Sequence, residues 1–132
     1  MDEQVMLPNG PEGASFARRV MARAAVLWLL DRDMTDTALL LVSELATNAI
    51  RHGSPPIRLS LRLDRDRQHR DRLRVEVTDG SPSLPELGYP GPDQTGGRGL
   101  QIVQLLAVRW GANAAPRRLG KTVWFELSGM LR

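Results

Sequence analysis

The chain has no cysteine, a single lysine, two histidines and few aromatic residues, and each shortage removes a class of chemistry. Without cysteine there are no disulfides, thiolate metal sites or cysteine nucleophiles. His52 and His69 alone supply too few imidazoles for a dedicated transition-metal site. Aromatics at 5% leave few platforms on which single-stranded nucleic acid could stack. No apolar run reaches the ~18–20 residues of a membrane-spanning helix. The acidic opening MDEQ is unlike a signal peptide, so a soluble cytoplasmic protein with no membrane role is expected. The formal charge of +3 rests almost wholly on arginine, with Lys121 the lone lysine. In DRDRQHRDR those arginines alternate with aspartates, which describes a self-compensated surface and not a phosphate-tracking stripe; direct nucleic-acid binding is not expected.

What is present is enough for one folded domain over residues 1–132, at 42% hydrophobic content, with residues 1–14 a poorly defined N-terminal segment. Asp2–Leu7 suits a short edge strand before Pro8, Asn9, Gly10, Pro11 and Gly13 break regular structure. From Ser15 to Leu30 a helix is predicted, opened by the serine as cap. Its apolar positions are Phe16, Val20, Ala24, Leu27 and either Trp28 or Leu30, and its other face carries Arg18, Arg19 and Arg23. DRDMTD reads as a polar link into a second helix, Thr35 to Gly53, with Thr35 or Asp36 as N-cap and Gly53 as the stop. Its apolar stripe is Ala38, Leu41, Val42, Leu45 and Ala49. Glu44 and Asn48, four residues apart, share a flank of that helix.

Strict alternation follows. Ile57, Leu59, Leu61 and Leu63 line one face of a strand, and Leu73, Val75 and Val77 line another, whose period carries Asp79 to the same inward side just before Gly80. A carboxylate delivered to a buried face requires a partner. Ser81 to Thr95, with four prolines and two glycines, is a loop of the kind that covers a site. GGRGLQIVQLLAVRWG then opens a helix at glycines, with apolar positions Leu100, Ile102, Val103, Leu105 and Leu106, and free amides at a helix start favour an anion. Val108 to Trp110 and GKTVWFEL read as two last strands, the second allowing either Val123, Phe125 and Leu127 or Thr122 and Trp124 to face the helices.

E-x-x-x-N on a helix, an inward D-G at a strand end, a Pro/Gly loop, G-x-G at a helix start and G-K-T before a last strand form a specific set. In VSELATNAIRHG, GRGLQIV and GKTVWFEL, and over about Ser15 to Leu127, the chain resembles the GHKL superfamily of ATPases. Within it the likeness is nearest to anti-sigma-factor serine/threonine kinases and stand-alone ATP-binding regulators of high-GC bacteria. The resemblance implies the Bergerat fold: an α/β two-layer sandwich, its sheet mixed but mainly antiparallel, with three helices on one face and ATP held between helices and loop.

It also implies roles. Asn48 matches the residue that coordinates Mg²⁺, Glu44 the general base, and Asp79, with Gly80 beside it, the carboxylate that accepts from the adenine amino group. Gly97 and Gly99 match the second glycine box at the phosphates; Arg98 between them could touch a phosphate through its guanidinium, and Arg51 is a lesser candidate for such a contact. Thr122 matches the threonine that reaches the adenine end. The implied activity is phosphorylation of a serine or threonine on a protein antagonist by an ATP-binding regulator that sequesters a sigma factor. The alternative is a non-catalytic ATP-binding module that sequesters a partner. A homodimer is implied by resemblance alone. The pattern D-G-S-P after the strand departs from the fuller D-x-G-x-G, and no phospho-accepting histidine domain precedes it, which disfavours histidine kinase activity.

Overall fold

Alternating and helical periods sort this chain into a layer of three helices over one sheet. The computed structural model describes residues 1–68, 70–81, 96–114 and 120–130, with the backbone alone for 96–100 and 130. In chain order the elements are β1 (Asp2–Leu7), α1 (Glu12–Leu27), α2 (Arg32–His52), β2 (Ile57–Arg65), β3 (Arg70–Asp79), α3 (Gly96–Leu106), β4 (Arg109–Ala114) and β5 (Lys121–Met130). The five strands lie in the order β1-β2-β3-β5-β4, and every pairing is antiparallel. β5 therefore slots between β3 and β4, and the chain crosses over it through α3.

The inner face of the sheet is built from facing pairs. Leu59 opposes Val77, Leu61 opposes Val75, Leu63 opposes Leu73, and across the next ladder Val75 opposes Phe125 and Val77 opposes Val123. All are buried, each Leu contributing about 1.5–3 kcal/mol, and they meet Leu41, Val42, Leu45 and Ala49 of α2. α2 is the central helix: α1 packs on one flank and α3 on the other. The register settles the two readings of β5, because Val123, Phe125 and Leu127 face the helices. Trp124 lies on the outer face, where the Arg74 guanidinium sits 3.9 Å above its ring and also holds Glu76 and Glu126 at 2.7 and 3.1 Å.

Helix ends and exposed positions differ from the sequence-based expectation. α1 starts at Glu12 behind Pro11, and Ser15 lies inside the helix, accepting from Arg19 at 3.1 Å and capping nothing. Its buried side is Gly13, Ala17, Met21, Ala24 and Ala25, continued by Trp28; Phe16 and Val20 are half-buried and Leu27 is 62% exposed. α2 absorbs most of the polar link: Asp31 is its N-cap, accepting from Met34 N at 2.7 Å, and Gly53 follows as the stop. In α3 Val103 alone of the described apolar positions is fully buried, with Leu105 and Leu106 exposed. His69 lies outside the described residues.

Candidate functional site

Asp79 closes β3 on the inward face, as the alternation through Leu73, Val75 and Val77 requires, and it is only 2% exposed. Opposite it in the β3–β5 register stands Lys121, 1% exposed, with its ammonium 3.2 Å from Asp79 Oδ2. The other oxygen, Oδ1, accepts from the Ser81 amide at 2.7 Å and from the Ser54 amide at 3.4 Å. Oδ2 has an ion pair but no hydrogen bond, since the ammonium is near it without the alignment of a hydrogen bond. A buried carboxylate oxygen with acceptor capacity to spare is thus aimed into this corner of the molecule.

Three glycines let the chain close in around this corner. A Cβ on Gly53 would lie 2.6 Å from Asp79 Oδ2, and one on Gly120 would strike the Asp79 carbonyl oxygen at 2.6 Å. Gly80 donates its amide to Ser54 O at 2.6 Å, and a Cβ there would meet Pro55 O at 2.8 Å. The stop of α2, the end of β3 and the start of β5 are therefore pinned together backbone to backbone, with Asp79 at their junction.

Asn48 lies on α2 five residues before Gly53, roughly 7.5 Å back along the helix, and Glu44 one further turn away, roughly 6 Å. Asn48 is buried, yet its carboxamide finds no hydrogen-bond partner among the described residues; Glu44 is half-buried. α3 flanks this side of α2. Its C-terminal end, Leu106 and Val108 beyond it, borders a groove of about 460 Å³ together with Met34 and Thr37 near the start of α2. α3 thus runs back along α2, which brings its first turn, about 16 Å away, toward the level of Asn48. Gly97 and Gly99 fall in that first turn, so their backbone amides are among those without an intrahelical partner.

Asp79 and Gly80 thus lie at the C-terminal end of α2, the helix that carries Asn48 and Glu44 and along which α3 packs. Thr122 is not brought there: it lies on the outer face, its hydroxyl 2.8 Å from that of Thr78. Lys121, one residue earlier, occupies the inward position in its place. Sequence reasoning passed over Lys121, although the required partner for an inward Asp79 and the chain's single lysine were both visible. The side chain of Arg98 and the Pro/Gly loop expected to cover the site, at residues 82–95, lie outside the described residues. Among the described residues no group of three or more histidine and carboxylate side chains is placed to hold a metal ion.

Residues 7–126 match the histidine kinase-like ATPase domain. The chain belongs to this family. The match runs from the end of β1 into β5 and so takes in every element of the site. Members of the histidine kinase-like ATPase family bind ATP, usually with Mg²⁺. The five-stranded antiparallel sheet with its helices is consistent with the Bergerat fold. No curated protein matches the chain. No helix among the described residues is long and apolar enough to cross a membrane.

The donor set fits such a ligand. An orphaned, buried carboxylate oxygen suits an amino group on a heterocycle. The unpartnered carboxamide of Asn48 offers a hard oxygen to a cation that phosphates share. The helix start offers amides to an anion.

Proposed function

We propose that this protein is an ATP-dependent regulator of the anti-sigma-factor type, which binds ATP·Mg²⁺ and transfers the terminal phosphoryl group to a serine or threonine of a protein antagonist. The observation that carries the reading is the buried Asp79 Oδ2, which has the Lys121 ammonium 3.2 Å away but no hydrogen bond and so keeps acceptor capacity that a ligand's donor could use. Asp79 takes the adenine amino group through that oxygen.

Asn48 would hold Mg²⁺ through its amide oxygen, the ion neutralising charge on the phosphates. Glu44, a turn further from Asp79 and partly open to solvent, would take the proton of the attacking hydroxyl through its carboxylate. The amides of Gly97 and Gly99 stabilise negative charge on the transferred group. A sigma factor or its antagonist is the class of partner this reading requires.

Calorimetric titration with ATP, with and without Mg²⁺, tests the site. Binding that tightens with Mg²⁺ in the wild type and loses that dependence in Asn48→Ala is the expected result. A folded wild-type protein that does not bind ATP would overturn it. In the same preparations Glu44→Gln is expected to keep nucleotide binding and lose phosphoryl transfer to an antagonist. Turnover equal to wild type in that variant would remove Glu44 as the base, and absence of transfer in both, with binding intact, would favour the sequestering module.

A further inference from the structure

Lys121 is among the most deeply buried large side chains of the protein, and the reading above gives it no task. An ammonium carries three donors. Among the described residues Lys121 meets one acceptor group, Asp79, at 3.2 Å and out of hydrogen-bond alignment. Burying a cation at 1% exposure for a single imperfect contact is costly, and an apolar residue at this register position would pack beside Val123 at lower cost. The corner thus presents an acceptor, Asp79 Oδ2, and a donor, Lys121 Nζ, side by side. Both have capacity unspent.

We infer that Lys121 reads the ring nitrogen N1 of adenine, so that Asp79 and Lys121 together recognise the base by two parallel hydrogen bonds. The assignment rests on the ATP-binding reading and deepens it. Adenine presents an amino donor at position 6 beside an acceptor at N1, which matches carboxylate beside ammonium. Guanine presents the reverse order, an acceptor at position 6 beside a donor at N1. Placed in the same pose, it would set carbonyl against carboxylate and N–H against ammonium. A lone carboxylate discriminates through one contact, whereas the pair rejects guanine at both. The ion pair also aligns the two groups before the base arrives, so little side-chain ordering is left to binding. Thr122, on the outer face with Thr78, cannot take this part.

The test compares ATP with 1-deaza-ATP, in which N1 is replaced by C–H, and with 7-deaza-ATP as a control altered on the opposite edge. Affinities are measured by calorimetry on the whole protein. A charged hydrogen bond to N1 predicts that 1-deaza-ATP binds roughly 10- to 100-fold more weakly than ATP, while 7-deaza-ATP binds like ATP. In Lys121→Met the difference between ATP and 1-deaza-ATP is expected to vanish, a pattern that a merely structural lysine would not produce. Equal wild-type affinity for ATP and 1-deaza-ATP overturns the assignment and leaves ATP binding standing. So does a Lys121→Met variant that still discriminates between them. Should Lys121→Met not fold, the wild-type comparison decides alone. Failure of the folded wild type to bind ATP overturns both readings, and is distinguished by that result.

Discussion

Gly53 has no side chain, and the Asp79 carboxylate occupies the space that one would need. A Cβ there would approach Asp79 Cγ at 2.5 Å and the Ala49 carbonyl oxygen at 2.6 Å, and the second of these is backbone that cannot swing aside. The backbone at Gly53 is extended, with φ at −101°, so the demand for glycine comes from crowding and not from a left-handed conformation. Gly53→Ala is therefore expected to lower stability by about 1–3 kcal/mol, the usual cost of overpacking. It should also weaken ATP binding by displacing the carboxylate, and urea melts with calorimetry on one preparation check both. A variant as stable and as tightly binding as wild type would show that the corner is looser than its distances. From the sequence this glycine read only as a helix stop. Its second duty was hidden, because the side chain it makes room for is 26 residues away. The inward Asp79 was legible, since alternation over Leu73, Val75 and Val77 has one reading. The phase of β5 was not, because alternation by itself lets either Val123, Phe125 and Leu127 or Thr122 and Trp124 face the helices and only the register with β3 fixes it.

Among the elements, the β2–β3 hairpin shows how far a charged tract can be from a merely solvated one. Asp66 accepts from the Arg70 amide at 3.0 Å, the Gln68 amide at 2.9 Å and Arg70 Nε at 2.9 Å. The Arg70 amide bond, first among these, holds the Asp66 carboxyl below its ordinary range. Asp71, buried at 2% exposure, receives two bonds from the Arg65 guanidinium, 2.6 Å from Nε and 3.0 Å from Nη2. Arg65 also donates to Trp28 O at 2.6 Å, tying the hairpin to the end of α1, and the bond to Asp71 raises its own pKa. Removing one member strands the other. Arg65→Met is expected to cost about 2–3 kcal/mol, less than the ~3–5 of a fully enclosed pair because the guanidinium keeps some exposure. Chemical denaturation measures it, and a loss below 0.5 kcal/mol, within the usual ± range of surface changes, would mean the pair is dispensable. The composition DRDRQHRDR announced charge compensation but not burial. The long-range bond to Trp28 has no signature in the tract. Helix ends misled for a related reason: Asp31 wins the cap of α2 over Thr35 and Asp36 because Arg32, Asp33 and Met34 are all tolerated in a first turn, and Met34 is buried once there.

At the scale of the molecule, the site is where the helix layer and the sheet are joined by backbone. The stop of α2, the end of β3 and the start of β5 meet around Asp79, and α3 lies against α2. A nucleotide bridging Asp79, Asn48 and the first turn of α3 would therefore tie both layers, and unfolding of either would release it. Binding to the native state alone stabilises by RT ln(1 + [L]/Kd), about 2.7 kcal/mol at a hundredfold excess over Kd. For a chain of this size each 1 kcal/mol is worth roughly 3–5 °C, so saturating ATP·Mg²⁺ should raise Tm by ~8–13 °C. The controls have to respect the buried pair. Asp79→Ala alone would leave the Lys121 ammonium enclosed without its counter-charge, and lost binding in that variant could be no more than lost folding. Asp79→Asn combined with Lys121→Met removes both charges at similar volume and should fold, because the surrounding face of Val77, Val123 and Phe125 is already apolar. The expected outcome is a double variant with a cooperative melt whose Tm no longer moves with ATP·Mg²⁺. A double variant that melts cooperatively and still gains the wild-type shift would place the nucleotide elsewhere on the molecule. Asn48→Ala, which disturbs no charge, should keep a reduced shift that EDTA no longer changes. The two variants together thus assign the base end and the phosphate end of the ligand to opposite ends of the same stretch of α2.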